Sequence, residues 1–226
     1  MREPGQGDER RAPYDPMPHG PEEVGVGPWQ GEWPTGEQYD VTLLAEGDRR
    51  NVVDRYRYWT MEAIIADLDS RRHEFHVAIE NWQHDFNIGT IVRTANAFLA
   101  AEVHIVGRRR WNRRGAMVTD RYQHIRHHET VAELAADLRS KEVVLYGIDN
   151  LPGSLPLETL ALPRRVCLLF GQEGPGLSAE ARLHCEGTFS IAQFGSTRSI
   201  NASAAAAIAM HTWVVQHASA GRHSTA

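Results

Sequence analysis

Lysine is almost absent from this chain: of its 24 basic side chains, only Lys141 is a lysine. Arginine-rich stretches can therefore reflect composition, and clustering has to carry any argument for binding. Cysteine is also scarce. Cys167 and Cys185 are too few for a disulfide framework and read as core thiols in a reducing compartment. No run of about eighteen apolar residues occurs, so no segment reads as a membrane span. The N-terminus lacks an apolar signal region, and the expected location is the cytoplasm. Aliphatic residues nearly vanish from residues 1–36, which hold 7 Pro and 7 Gly. Such a stretch cannot bury enough surface to order itself and reads as a flexible arm; Trp29, Trp33 and Tyr39 near its end read as incidental aromatics, with docking on the folded domain as the alternative. The net charge of −5 argues at first against a nucleic-acid partner. However, residues 1–48 carry −8 and residues 49–226 carry +3. An acidic arm over 1–48 hides a mildly basic folded domain over 49–226, so the total charge excludes nothing.

From Thr60 the apolar pattern becomes regular. Met61, Ile64, Ile65 and Leu68 have helical spacing, as do Ile88, Ile91, Val92, Ala95 and Leu99. Strands are predicted at 75–80, 102–106, 143–148, 166–170 and 188–192. Thr130 and Glu133 form a capping box opening a helix to about 139. A short helix is predicted after Ser178, and a long Ala-rich one runs to about His217. Strands alternating with helices predict an α/β fold: a mostly parallel sheet with helices on both faces.

Ligands of open parallel sheets sit beyond the carboxyl ends of the strands, and three segments at such positions are unusually polar. After the first strand come Asn87, Gly89 and Arg93, the last about one and two-thirds helical turns beyond the first. After the 166–170 strand comes Gly171-Gln172-Glu173-Gly174-Pro175-Gly176, a turn with an acid held among glycines. Its spacing matches neither a P-loop nor a dinucleotide fingerprint. After the last strand, Ile191 to Ser203 forms a Gly-bearing polar loop running directly into Ala204–Ala207, where a helix N-terminus can hold polar groups.

The ordered set resembles the TrmH/SpoU branch of the SPOUT RNA methyltransferases over residues 75–217. That family's motifs are matched by Asn87, Gly89 and Arg93, by Phe170 to Ser178, and by Ile191 to Ser203. The chain departs from them at Ala192 (usually Pro), Gln193 (Met), Ile200 (Leu) and Ala202 (Val). The resemblance implies transfer of the methyl of S-adenosylmethionine to a ribose 2′-hydroxyl of tRNA or rRNA by a homodimer, with a trefoil knot at about 166–217. It implies a cofactor site lined by Ile148, Gly171, Ile191, Gln193 and Ile200. It also implies a catalytic set of Arg93, Asn87, Glu173, Ser199 and Asn201, in which Asn201 is equally readable as structural. The family's assignment makes the arginine a base. A guanidinium stays protonated, so a phosphate clamp that stabilises the developing alkoxide is the better reading of Arg93.

Arg108, Arg109, Arg110, Arg113 and Arg114 surround Trp111, a pattern suited to phosphate contact and base stacking on RNA. His104, His124, His127 and His128 lack the accompanying ligand pattern of a metal site and read as solvated or RNA-facing. Two rival functions remain: an RNA base methyltransferase on a knotted fold, and a knotted RNA-binding dimer without turnover. Cofactor binding separates the second from the enzymes.

Overall fold

A computed structural model describes residues 25–83 and 87–218. The chain divides into two compact units, residues 1–60 and 61–226. The boundary therefore falls after Thr60, whereas composition placed it at residue 48. Part of the expected arm, residues 1–24, lies outside the described residues. The remainder is ordered. Helix α1 (Val41–Glu46) is capped by Asp40, whose side chain accepts from the N–H groups of Thr42 and Leu43. Asp48 is fully buried and organises the unit, accepting from Arg50 Nε at 2.9 Å, Arg50 Nη2 at 2.7 Å and the Tyr58 amide at 3.0 Å. Trp29 packs edge-on against Tyr58 at 5.3 Å, so it is a structural residue of this unit. Composition missed this order because it rests on one buried ion pair and a few aromatics.

Among the described residues, the second unit is a seven-stranded sheet in which every strand pair is parallel. Its strands are β1 (His76–Asn81), β2 (Val103–Gly107), β3 (Ile125–His128), β4 (Val144–Ile148), β5 (Leu155–Pro156), β6 (Val166–Phe170) and β7 (Gly187–Ser190). The spatial order is β3-β2-β1-β6-β4-β7-β5. Its helices are α2 (Met61–Asp69), α3 (Asn87–Ala97), α4 (Val131–Ser140), α5 (Ala179–His184) and α6 (Ala202–His217).

Period-two alternation sends each strand's side chains into two separate cores. Val77, Ile79, Val103, Ile105, Val166, Leu168 and Phe170 face α3 and α6 in one core, which Trp213 and Met210 complete. Ala78, Val106, Leu145, Cys167 and Leu169 face α4 and α5 in the other. Burial raises both thiols, that of Cys185 to about 12 with Glu80 adding to the shift, so neither is reactive at neutral pH.

Two strands were not expected from sequence. In β3, Ile-Arg-His-His lacks an apolar run but pairs with β2 at the sheet edge. The other, β5, has two residues. The expected 188–192 strand stops at Ser190, because the Ala192 amide donates to Glu158 Oε1 at 2.7 Å and the chain leaves the sheet there. Thr130 does cap α4, its hydroxyl accepting from the Glu133 amide. Glu133 reaches the amide of Glu129, one residue before the cap, at 2.7 Å.

Candidate active site

The carboxyl ends of β4 and β6 and the segments after β6 and β7 enclose a cleft of about 230 Å³. Ile148, Gly171, Ile191, Gln193 and Ile200, the residues expected to hold the cofactor, all line it. Glu173, Ser199 and Asn201 line it as well. Segments far apart in sequence converge because a parallel sheet puts every strand's exit on one edge.

Each loop is pinned by a specific polar contact. Asp149, at the exit of β4, accepts from the Leu177 amide at 2.8 Å and from the Asn150 amide at 2.7 Å. Glu80, fully buried at the end of β1, accepts from the Ser178 amide at 2.8 Å and from Trp82 Nε1 at 2.8 Å. Together they fix the C-terminal end of the turn over residues 171–178. Within that turn, a Cβ on Gly171 would overlap the carbonyl carbon of Gly176, so the turn closes only around glycine. Asp149 and Glu80 were missed from sequence because isolated acids after strands carry no spacing signal.

The three motifs meet at Asn87. Its Nδ2 donates to Glu173 Oε2 at 3.0 Å, and its Oδ1 accepts from Asn201 Nδ2 at 2.9 Å. Asn201 in turn caps α6, its Oδ1 accepting from the Ser203 amide at 2.9 Å. Asn201 thus caps α6 and links it to the first motif. Gly89 has a different reason to be glycine. A Cβ there would come within 2.9 Å of backbone atoms of residues 112, 115 and 116, so it lets α3 lie directly on that loop.

Arg93 stands apart from the cleft. The apolar stripe of α3 is Ile88, Ile91, Val92 and Ala95, and Arg93 lies on the exposed side of the helix. It is not among the cleft-lining residues of its own chain. A six-residue step turns about 240° around a helix, which separates it from Asn87.

The arginine segment leaves the end of β2 on the same sheet edge. Asn81 Nδ2 donates to the carbonyls of Arg108 at 2.6 Å and Arg110 at 3.0 Å, anchoring the loop. All five arginines are exposed. Trp111 is half-buried against the α3/α6 core, with Arg113 over its ring at 5.5 Å, so a structural demand already occupies much of this ring. Of the four histidines read as solvated, His104 and His128 are buried. They belong to β2 and β3, where the alternation points them under α4.

Comparison with known proteins follows this geometry. The SpoU rRNA Methylase family matches residues 74–211. The chain belongs to that family. A tRNA (guanosine(18)-2′-O)-methyltransferase of Escherichia coli is 26% identical over 168 residues, covering 73% of each chain. The same enzyme of Thermus thermophilus is 25% identical over 162 residues, covering 68% of this chain and 81% of its own. The SpoU methyltransferase AviRb from Streptomyces viridochromogenes, solved with AdoMet, superposes with a TM-score of 0.60 at 25% identity. That match covers 68% of this chain and 62% of AviRb, so this chain spans less than two thirds of that protein. The TrmH/SpoU tRNA modifying enzyme of A. aeolicus shares the fold, with a TM-score of 0.64 at 18% identity over 73% of this chain and 85% of that one.

The cleft suits the family's methyl donor. Ile148, Phe170, Ile191 and Ile200 offer apolar walls for a nucleoside. Gln193 Oε1, on the same wall, is buried without a hydrogen-bond partner among the described residues, an acceptor suited to an amino group. Where the family usually has methionine, this chain thus supplies a polar contact.

Proposed function

We propose that this chain methylates ribose 2′-hydroxyls of tRNA or rRNA with S-adenosylmethionine, acting as a homodimer in the cytoplasm with its 166–217 segment tied in a knot. The observation carrying this reading is the Glu173–Asn87–Asn201 chain of hydrogen bonds, which joins all three motifs beside one cleft. The names of the Escherichia coli and Thermus relatives support the reaction, and the AdoMet-bound AviRb supports the cofactor.

When bound, S-adenosylmethionine supplies a methyl group made electrophilic by its sulfonium. Gly171, Ile191 and Ile200 hold the donor and Gln193 accepts from it. The 2′-oxygen must then be aligned with the methyl and relieved of its proton. Ser199, exposed at the rim of the cleft, orients the ribose. Asn87 and Asn201 hold the loops rigid around Glu173. Arg93 acts on the partner's cleft as clamp for the phosphate and stabiliser of the developing alkoxide. That role fits its position on the exposed side of α3. Ile208 and Val215, seven residues apart on α6 and 43% and 52% exposed, offer an apolar face for the dimer. The exposed arginines at 108–110, 113 and 114 contact the RNA backbone.

The test is ribose-methylation mapping of tRNA and rRNA incubated with the protein and labelled S-adenosylmethionine. One or a few 2′-O-methylated positions are expected, with turnover lost in Arg93→Ala at saturating RNA. No cofactor binding, together with no methylation of any RNA, would favour the non-enzymatic dimer. Label on a base would favour the base methyltransferase.

A further inference from the structure

The opposite edge of the sheet carries a cluster that methyl transfer does not use. His76 begins β1, His104 is the second residue of β2, and Glu102 immediately precedes β2. His76 and His104 are 6% and 0% exposed and point to the α4 side of the sheet. His76 Nδ1 lies 3.0 Å from His104 Nε2. Glu102 Oε2 lies 3.6 Å from His76 Nδ1 and 3.7 Å from His104 Nε2.

The two Glu102 separations, unlike the ring-to-ring contact at hydrogen-bond length, match donors that share an ion. Donors bound at about 2.0–2.2 Å around a tetrahedral ion sit roughly 3.3–3.6 Å from one another. The carboxylate is too far from either ring for a good hydrogen bond, yet nearly equidistant from both. Two imidazole nitrogens and one carboxylate oxygen form a donor set suited to zinc-class cations. The outer contacts agree. His104 Nδ1 lies 2.9 Å from His128 Nε2, so a proton on Nδ1 donated to His128 leaves the His104 Nε2 lone pair free for a ligand.

We propose that His76, His104 and Glu102 form a binding site for one zinc-class divalent cation, which ties β1 to β2 at the sheet edge remote from the cofactor cleft. Burial holds both rings neutral at physiological pH, His76 at about 4. Burial alone would raise Glu102, but Lys141 and Arg126 hold it at about 2, so it is anionic. Lys141 is the competitor. Its ammonium reaches Glu102 Oε2 at 2.5 Å and Asp137 Oδ2 at 2.9 Å, so an arriving ion must shift it toward Asp137.

The experiment titrates chelator-treated full-length protein with Co²⁺, following the visible ligand-field spectrum, and then competes with Zn²⁺. One Co²⁺ per chain with a tetrahedral spectrum is expected, displaced by equimolar Zn²⁺. Affinity should fall at least a hundredfold in His76→Gln and in Glu102→Gln, and about 10–100-fold in His128→Gln, whose side chain only supports His104. It should rise in Lys141→Met. Retained binding of S-adenosylmethionine, at the far edge of the sheet, shows that each variant is folded. If a variant is unfolded, imidazole resonances of His76 and His104 shifting on Zn²⁺ addition to the wild type serve instead. The proposal is overturned by the absence of stoichiometric Co²⁺ binding, by an unchanged spectrum and affinity in His76→Gln, or by unshifted resonances. The two rings are then simply hydrogen-bonded to each other.

Discussion

Gly171 and Asn87 show how single atoms decide the cleft. A methyl group on Gly171 would overlap the backbone of Gly176 and Leu177, and backbone cannot rotate aside. Gly171→Ala is therefore expected to abolish S-adenosylmethionine binding in calorimetry while the rest of the sheet stays folded. Asn87 donates to one neighbour and accepts from the other. Asn87→Asp would set two carboxylates about 3 Å apart, and a hydrogen bond to a charged group is worth about 1.5–3 kcal/mol, the lower end applying here because Glu173 is exposed. Thermal melts should show a loss of that order. Adding Glu173→Gln should recover most of it, because the donor–acceptor pair is restored in reverse. No recovery would mean that Asn87 matters through some other contact.

At the scale of elements, α3 and the arginine loop form one device. Gly89 lets the helix rest on residues 112–116, and Asn81 holds the loop's first carbonyls. Gly89→Ala adds a methyl against backbone, and such overpacking costs about 1–3 kcal/mol. Weaker RNA binding is expected along with the lower melting temperature, whereas cofactor affinity should change little. The α1 unit makes a pH prediction. Burial alone would raise the Asp48 carboxyl, but bonds from Arg50 and the Tyr58 amide bring it below its ordinary value of 3.8. A depressed folded-state value stabilises the unit above the unfolded value. That contribution drains away as pH falls through 3.8 and below. Hydrogen exchange of residues 25–60 should accelerate in that window, and Asp48→Asn should remove most of the dependence.

On the scale of the whole molecule, the separation of Arg93 from its own cleft fits the proposed dimer. If each site joins one chain's loops to the partner's arginine, Arg93→Ala and Gly171→Ala are both inactive alone. Re-formed mixed dimers keep one intact site, so an equal mixture should regain about a quarter of wild-type turnover. No recovery after subunit exchange would mean that Arg93 does not complete the partner's site.

Much of this protein was legible without coordinates. Strand alternation, helix spacing and the caps at Thr130 and Ser178 are local properties, and they placed most elements within a residue or two. The residues that the family resemblance implied for the cofactor share one cleft, because the loops that bear them leave the same edge of a parallel sheet. Tertiary structure alone decided the roles of Asp149 and Glu80, the burial of His104 and His128, the order of residues 25–60 and the exposure of Arg93. Each depends on which distant backbone approaches a side chain, and no short window of sequence encodes that. Local chemistry thus dictated the elements and the loops that carry the reaction, while packing between remote segments determined which polar groups those loops enclose.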